Sequence, residues 1–237
     1  METKSFSVSE CISEGWEYSK KHGLLMAVIL FGLGIISQGF SSMFSFIGGV
    51  NPFDTQEAAR QLGERMAQGD TQAMFDYFRM MSATSAGSWV GAILSSLVLV
   101  GLYNFALGII SGRFSSLEFD VFKMPLMVYV KYFAVSVITG ILTGVGLLLC
   151  VIPGIYIGAR LQFATIYIVD NPDADIIEAL KASWEMTSGQ VMSLIGFALA
   201  CFGITIIGLL CCCVGVYFAE AVTIFATVCA YNVLKQA

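Results

Sequence analysis

Three charged residues that interrupt long apolar runs are the residues of this sequence best suited to chemistry. Lys131 and Arg160 are the charged residues of the stretch 124–169, and Glu220 is the charged residue of the stretch 186–234. A charge surrounded by lipid is costly, so residues of this kind line substrate paths, relay protons or form ion pairs. A guanidinium and a carboxylate together could bind a substrate or pass a proton.

Arg160 and Glu220 are predicted to lie at a similar depth in the membrane. Arg160 follows Pro153 by 7 residues and Glu220 follows Gly215 by 5, in two helices expected to start at the same surface. A rise of 1.5 Å per residue places Arg160 about 10 Å below that surface. We expect the two side chains to pair or to face one polar cavity. A purely structural ion pair and two separately snorkelling side chains are the alternatives.

Two more polar side chains are candidates for the same intramembrane network or substrate site. Asn104 falls within an apolar run and could hydrogen-bond across a helix interface. Lys131 lies about 9 Å from the start of its helix, so its ammonium group is expected to snorkel to the surface. The candidate site is therefore Arg160, Glu220, Asn104 and Lys131.

The motifs of familiar enzyme classes do not occur in the sequence. It contains no G-x-S-x-G, H-E-x-x-H or Walker A pattern, and its single histidine is His22. Its seven cysteines form no C-x-x-C pair, so we expect no catalytic residue, no metal site and no cofactor. A disulfide from Cys150 to the Cys211–Cys213 cluster is an alternative to a role of these residues as small apolar filler.

The composition assigns these residues to a membrane protein. Hydrophobic residues make up 57% of the chain and charged residues 12%, whereas soluble domains carry about 25% charged residues. A soluble domain of 237 residues cannot bury that much apolar surface. The net charge of −5 offers no basic surface for nucleic acid. Membrane lipids are the expected surroundings, and a membrane-protein partner or a second copy of the chain is a candidate partner.

The apolar runs predict an all-α bundle of six transmembrane helices within one domain, residues 1–237. About 20 apolar residues cross a bilayer as a helix, and continuous apolar runs favour helices over a barrel. Pro153 suits the first turn of the fourth helix. The predicted spans are roughly 24–46, 88–110, 126–149, 153–169, 190–213 and 215–234.

The distribution of basic residues predicts the orientation of the chain. An even number of spans leaves both termini on one side, and that side carries most of the lysines. Cytoplasmic loops are enriched in Lys and Arg, so we expect a bacterial inner-membrane protein with both termini in the cytoplasm. The loop 50–87 is then outside, with helical patterns over 54–67 and 71–81.

Two amphipathic segments are related by a repeat. At an offset of 168 residues, the surroundings of Trp16 and Trp184 match in Glu, aliphatic, Trp-Glu and hydroxyl positions. Each segment precedes a pair of spans, so 7–21 and 174–187 are predicted to be short interfacial helices with tryptophan in the aromatic belt. The small-residue pairs Gly140/Gly144 and Gly154/Gly158 are expected to pack the hairpin of the third and fourth spans.

One pattern resembles a known family. It comprises Val151-Ile-Pro153-Gly154-Ile-Tyr-Ile-Gly158-Ala-Arg160-Leu, then Asp170, then Ala179-Leu180-Lys181-Ala-Ser183-Trp184. These residues and the six-span layout resemble the YciC-like group of uncharacterised bacterial multi-pass inner-membrane proteins, and related families of unknown function. The resemblance implies a polytopic inner-membrane protein and carries over no catalytic residue.

Two functions remain open from the sequence. The first is a non-enzymatic scaffold with a role in assembly or envelope maintenance, whose spans pack tightly or offer an apolar groove to partners. The alternative is a small transporter or channel with a polar site around Arg160 and Glu220. If it binds or moves lipid, we expect a lipid-width groove between helices with Arg160 near its head-group end. A polar path near the membrane midplane distinguishes the second from the first.

Overall fold

A computed structural model of the chain describes residues 7–47, 55–115, 119–210 and 213–236. Along these ranges the chain is all-α, as predicted, with nine α-helices, one 3₁₀ turn at Phe119–Phe122 and no strand. The helices are α1 Val8–Ile47, α2 Thr55–Ala67, α3 Thr71–Ile110, α4 Leu126–Leu149, α5 Val151–Leu161, α6 Ala164–Asp170, α7 Ile176–Met186, α8 Val191–Leu210 and α9 Cys213–Lys235.

Six stretches of the described chain are helical, long and apolar enough to cross a membrane. They are Val8–Phe40, Trp89–Ile110, Leu126–Leu149, Val151–Asp170, Val191–Leu210 and Gly215–Lys235. The chain is therefore a multi-pass membrane protein, and five of the stretches lie within three residues of the predicted bounds at each end. The first begins 16 residues earlier than the predicted start at residue 24.

The early start of the first span corrects the prediction of a separate interfacial helix over 7–21. Helix α1 runs without a break from Val8 to Ile47, because no proline separates the amphipathic turns from the apolar ones and a single glycine is tolerated in a helix. Its first turns pack on α9: a Cβ on Gly15 would lie 2.7 Å from the backbone nitrogen of Ala226. The second predicted interfacial helix, 174–187, does form as the separate helix α7.

The predicted outer loop 50–87 is largely helical. Helix α2 matches the predicted piece 54–67, and the turn that follows has Gly69 at φ 85°, a left-handed conformation suited to glycine. The second piece does not end at Met81, since α3 continues to Ile110 with no proline to stop it. Residues 48–54 lie outside the described part of the chain.

The fourth span is broken into α5 and α6. Helix α5 begins directly after Cys150, and Pro153 lies within its first turn as predicted. Gln162 and Phe163 form a turn between the two helices. The break leaves the last carbonyl groups of α5 without helical partners, and one of them, that of Arg160, binds hydroxyl groups of Ser183 and Thr187.

Contacts divide the chain into two compact units, residues 1–31 with 96–237, and residues 32–95. In the first unit, buried side chains of α9 form much of the core together with α3 and the α5–α6 region. The largest of these are Phe105, Phe163, Phe225 and Tyr231, each with no exposed area. In this unit α4 packs against α5 and α8 packs against α9 as hairpins.

The second unit has its own internal contacts. Arg65 at the end of α2 binds the carboxylate of Asp70 through two nitrogens, at 3.0 and 2.7 Å. Asp70 also accepts hydrogen bonds from the backbone N–H groups of Gln72 and Ala73, so it caps the start of α3. A single domain spanning 1–237 stays a prediction.

Candidate functional site

Arg160 lies in the last turn of α5 and is 6% exposed. Its guanidinium carbon is 4.3 Å from the ring centre of Trp184 and 5.7 Å from that of Tyr156. Both rings attract the cation through their π-faces. Its Nη1 donates a hydrogen bond to Ser188 Oγ at 3.2 Å. The side chain therefore connects α5 with the end of α7.

The backbone carbonyl of Arg160 is bound by hydroxyl groups from α7. Ser183 Oγ donates to it at 2.8 Å and Thr187 Oγ1 at 3.4 Å. Both hydroxyl residues are fully buried. Because α5 ends one residue later, this carbonyl is among those that the helix cannot satisfy, and in a membrane such groups need a partner within the protein. Helix α7 supplies that partner.

The predicted pairing of Arg160 with Glu220 does not form. Neither residue takes part in an ion pair with any described residue, and Glu220 lies on an exposed part of α9. The Arg160 side chain instead contacts the rings of Tyr156 and Trp184 and the hydroxyl of Ser188.

Lys131 binds the turn between α6 and α7. Its Nζ donates to the backbone carbonyls of Pro172, Asp173 and Ala174 at 3.0, 3.4 and 2.8 Å. An ammonium group has three donors, and all three have an acceptor here. This ammonium group therefore connects α4 with a turn 41 to 43 residues later in the chain, just after the end of the fourth span. Its expected snorkelling to the membrane surface stays a prediction.

Asn104 binds a third, separate part of the chain. Its Nδ2 donates to the carbonyl of Val121 at 2.9 Å, in the 3₁₀ turn, and the side chain is buried. The four predicted site residues thus make separate contacts and no hydrogen bond or ion pair to one another among the described residues. Their role as one substrate-binding set stays a prediction.

A cluster around Asp170 was not predicted as a site. Tyr231 of α9 donates a hydrogen bond to Asp170 Oδ2 at 2.9 Å, and Lys235 forms an ion pair with the same oxygen. Asp170 therefore ties the end of α6 to the end of α9. Because the partners are 61 and 65 residues from Asp170 in the chain, no local sequence pattern indicates the cluster.

The start of α7, by contrast, follows a local sequence pattern. Glu178 Oε2 accepts a hydrogen bond from the backbone N–H of Asp175, as the capping spacing D-x-x-E allows.

Open apolar grooves flank α5. One, of about 380 Å³, lies between α7 and the α4–α5 hairpin and includes Leu142, Leu161 and Leu180 in its wall. Two others, of about 440 and 570 Å³, follow α5 and α8 and share Ile155 and Ile195. We refer to this joined pair as the α5–α8 groove.

The predicted glycine pairs differ in what they pack against. A Cβ on Gly154 would lie 2.6 Å from the backbone nitrogen of Leu147, and one on Gly158 would lie 3.3 Å from Thr143. These two glycines therefore let α5 approach α4 closely. Gly140 and Gly144 have no atom within 4 Å of such a Cβ. The packing role predicted for the pair Gly140/Gly144 was therefore wrong.

Metal binding and disulfide formation find no support in the described ranges. No three His, Cys, Asp or Glu side chains there lie close enough to hold a metal ion. Of Cys211–Cys213, the predicted partners of Cys150, the first two residues and the side chain of the third lie outside the described part of the chain. Cys150 is a free cysteine, so the predicted bridge is not present in the structure.

Comparison with known proteins returns no match for this chain. Family models, curated protein sequences and solved structures were each compared with it, and none matches. The resemblance to the YciC-like group stays a prediction on the residues quoted above.

Proposed function

We propose that this multi-pass membrane protein is a non-enzymatic scaffold of a bacterial inner membrane, with both termini in the cytoplasm. The observation that supports it best is how the polar side chains of the spans are used. Lys131 and Asn104 bind backbone carbonyls of their own chain, and Ser183 and Thr187 bind the backbone carbonyl of Arg160. Side chains occupied in this way hold helices together.

The grooves beside α5 give the scaffold its partner surface. The walls of the groove between α7 and the α4–α5 hairpin are mainly leucine and isoleucine, which suits a transmembrane helix of another protein. Leu142 projects there with 43% of its surface exposed. Association in lipid depends on close packing of such side chains, so a partner would be recognised by shape.

Site-specific photo-cross-linking in cells tests the scaffold directly. A photoreactive residue at Leu142 is expected to give one discrete cross-linked product with another membrane protein. The matched control is Leu126, which is 76% exposed and is not part of the groove wall; it is expected to give none. Equal labelling from the two positions, or none from either, would argue against a partner in this groove.

The transporter alternative keeps one specific observation in its favour, the exposed carboxylate of Glu220 within the sixth span. Proteoliposomes containing the protein, loaded with a pH-sensitive dye and given a potassium gradient, would report proton or potassium flux. A scaffold gives the rate of protein-free liposomes. A rate well above that level that is lost in Glu220→Gln would favour the transporter and overturn the scaffold.

A further inference from the structure

The charge of Arg160 has no counter-ion in the described part of the chain. The guanidinium carries five N–H donors, and it makes one hydrogen bond, to Ser188. Its Nε is fully buried and has no hydrogen-bond partner. The Arg160 residue is only 6% exposed. A cation buried to this extent destabilises the fold unless an anion or a set of hydrogen-bond acceptors compensates its charge.

We infer that Arg160 and the adjoining α5–α8 groove bind an anionic phospholipid, with its phosphate at the guanidinium and an acyl chain in the groove. Two residues that contact the guanidinium lie in the groove wall or directly beside it. Tyr156 lies under the guanidinium and also lines the groove. Ser188, which binds Nη1, directly precedes Gly189 in the groove wall.

The phosphate has further donors to bind at this position. Helix α8 starts at Val191, and the first N–H groups of a helix have no intrahelical acceptor and favour an anion. Gly189 has a φ of 78°, and the residue contributes no side chain between Ser188 and the helix start. Guanidinium groups bind phosphate through parallel N–H donors, which would occupy donors that the protein leaves free.

The groove matches an acyl chain in chemistry. Its walls are mainly isoleucine, leucine, alanine and glycine with one valine and one methionine, and the side chains that carry hydrogen-bonding groups are Thr143, Gln162 and Tyr156. Each buried methylene of a chain contributes about 0.8 kcal/mol. A phospholipid carries both a phosphate group and apolar acyl chains, and phospholipids surround every multi-pass membrane protein. This inference rests on the membrane location and is independent of the scaffold role.

Binding of synthetic lipids to the detergent-purified full chain, followed by native mass spectrometry, tests the site. Dioleoyl phosphatidylglycerol is expected to bind. Dioleoyl phosphatidylcholine, which has no net negative charge, and dioleoylglycerol, which has no phosphate, are each expected to bind about tenfold more weakly. Inorganic phosphate at millimolar concentration is expected not to compete. Equal binding of the three lipids, or competition by free phosphate, would overturn the proposal.

Two variants and a control separate the site from general lipid adhesion. Arg160→Gln removes the charge, and Ala198→Phe fills the groove from an exposed position on α8 while leaving the buried core unchanged. Each is expected to weaken phosphatidylglycerol binding about tenfold. Lys123→Gln removes an exposed charge outside the site and is expected to change nothing. If Arg160→Gln does not fold, Ala198→Phe decides alone, and unchanged binding there contradicts the inference.

Discussion

Ser183 and Trp184 act together on one residue of the broken fourth span. The hydroxyl of Ser183 binds the carbonyl of Arg160, and the ring of Trp184 covers its guanidinium. The family resemblance rested on the stretch around Arg160 and on Ser183-Trp184, and the structure brings these two stretches into contact. Their spacing along the chain gave no sign of that, since nothing local in a sequence encodes a contact 23 residues away.

Replacement of Ser183 by alanine tests the role of this hydroxyl. The variant leaves the Arg160 carbonyl with only the longer bond from Thr187, so we expect the free energy of unfolding to fall by about 1 kcal/mol. Thermal unfolding in detergent micelles measures it. Ser13→Ala removes an exposed hydroxyl that bonds within helix α1 and is the control. Equal losses from both variants would contradict a special role for Ser183.

Lys131 offers a second test at the residue scale. Lys131→Met keeps the length of the side chain and removes the three donors to the α6–α7 turn. We expect a loss of about 1–2 kcal/mol in the free energy of unfolding, since the bonds involve a charged donor that is partly exposed. Lys123→Met removes a surface ion pair, and its effect is expected to stay within about 0.5 kcal/mol. If Lys131→Met is as stable as wild type, the hydrogen bonds from Lys131 to the α6–α7 turn do not contribute to the free energy of unfolding.

At the scale of elements, the α4–α5 hairpin depends on the close approach of two backbones. Gly154→Ala would place a methyl group 2.6 Å from the backbone of Leu147, and we expect a loss of about 1–3 kcal/mol from overpacking. Gly144→Ala adds a methyl group in open space, and better helix propensity is expected to leave stability unchanged or raise it by up to about 1 kcal/mol. Chemical unfolding of both variants compares them. A neutral Gly154→Ala would contradict the close approach.

The corner between α2 and α3 is expected to weaken in acid. Hydrogen bonds from the Arg65 guanidinium lower the pKa of the Asp70 carboxyl below its usual value. A lowered pKa in the folded state means that the stabilisation is present above the unfolded pKa and is lost as the pH falls through the folded pKa. Carboxyl carbon NMR of the protein in micelles measures this titration. In Arg65→Gln the pKa of Asp70 is expected to rise toward its usual value; no change would exclude Arg65 as the cause.

Element boundaries were predictable where the sequence carries a physical stop. Pro153 and the charged residues around residues 113–123 separate apolar runs. Helix α4 begins and ends at the predicted positions, and α5 begins close to its predicted start but ends at Leu161, before the predicted end at residue 169. The ends of α1 and α3 were not predictable in this way. The amphipathic residues 7–21 and the stretch 71–81 favour helix as strongly as the spans do, so each joins the helix that follows it.

Across the whole chain, a few polar side chains form the contacts that connect neighbouring helices. In lipid such contacts matter because the hydrophobic effect does not drive helices to associate. Depth and charge in the sequence identified Arg160, Lys131 and Asn104 as unusual. Their partners could not be predicted, because each binds a backbone group or ring that only the folded chain places nearby. Burial of apolar surface explains the class of the protein, and these contacts explain its particular arrangement.

Labelling of single cysteines in intact cells tests the central claim, that the chain crosses the membrane six times. In a background with the native cysteines replaced, a membrane-impermeant maleimide would probe one cysteine at a time at seven positions. Six are residues 4, 68, 113, 150, 173 and 235, and the seventh lies between the last two spans. We expect labelling from outside at Gln68, at Cys150 and between the last two spans, and protection at the other positions until the membrane is opened. Two consecutive positions on the same side would contradict a six-span topology.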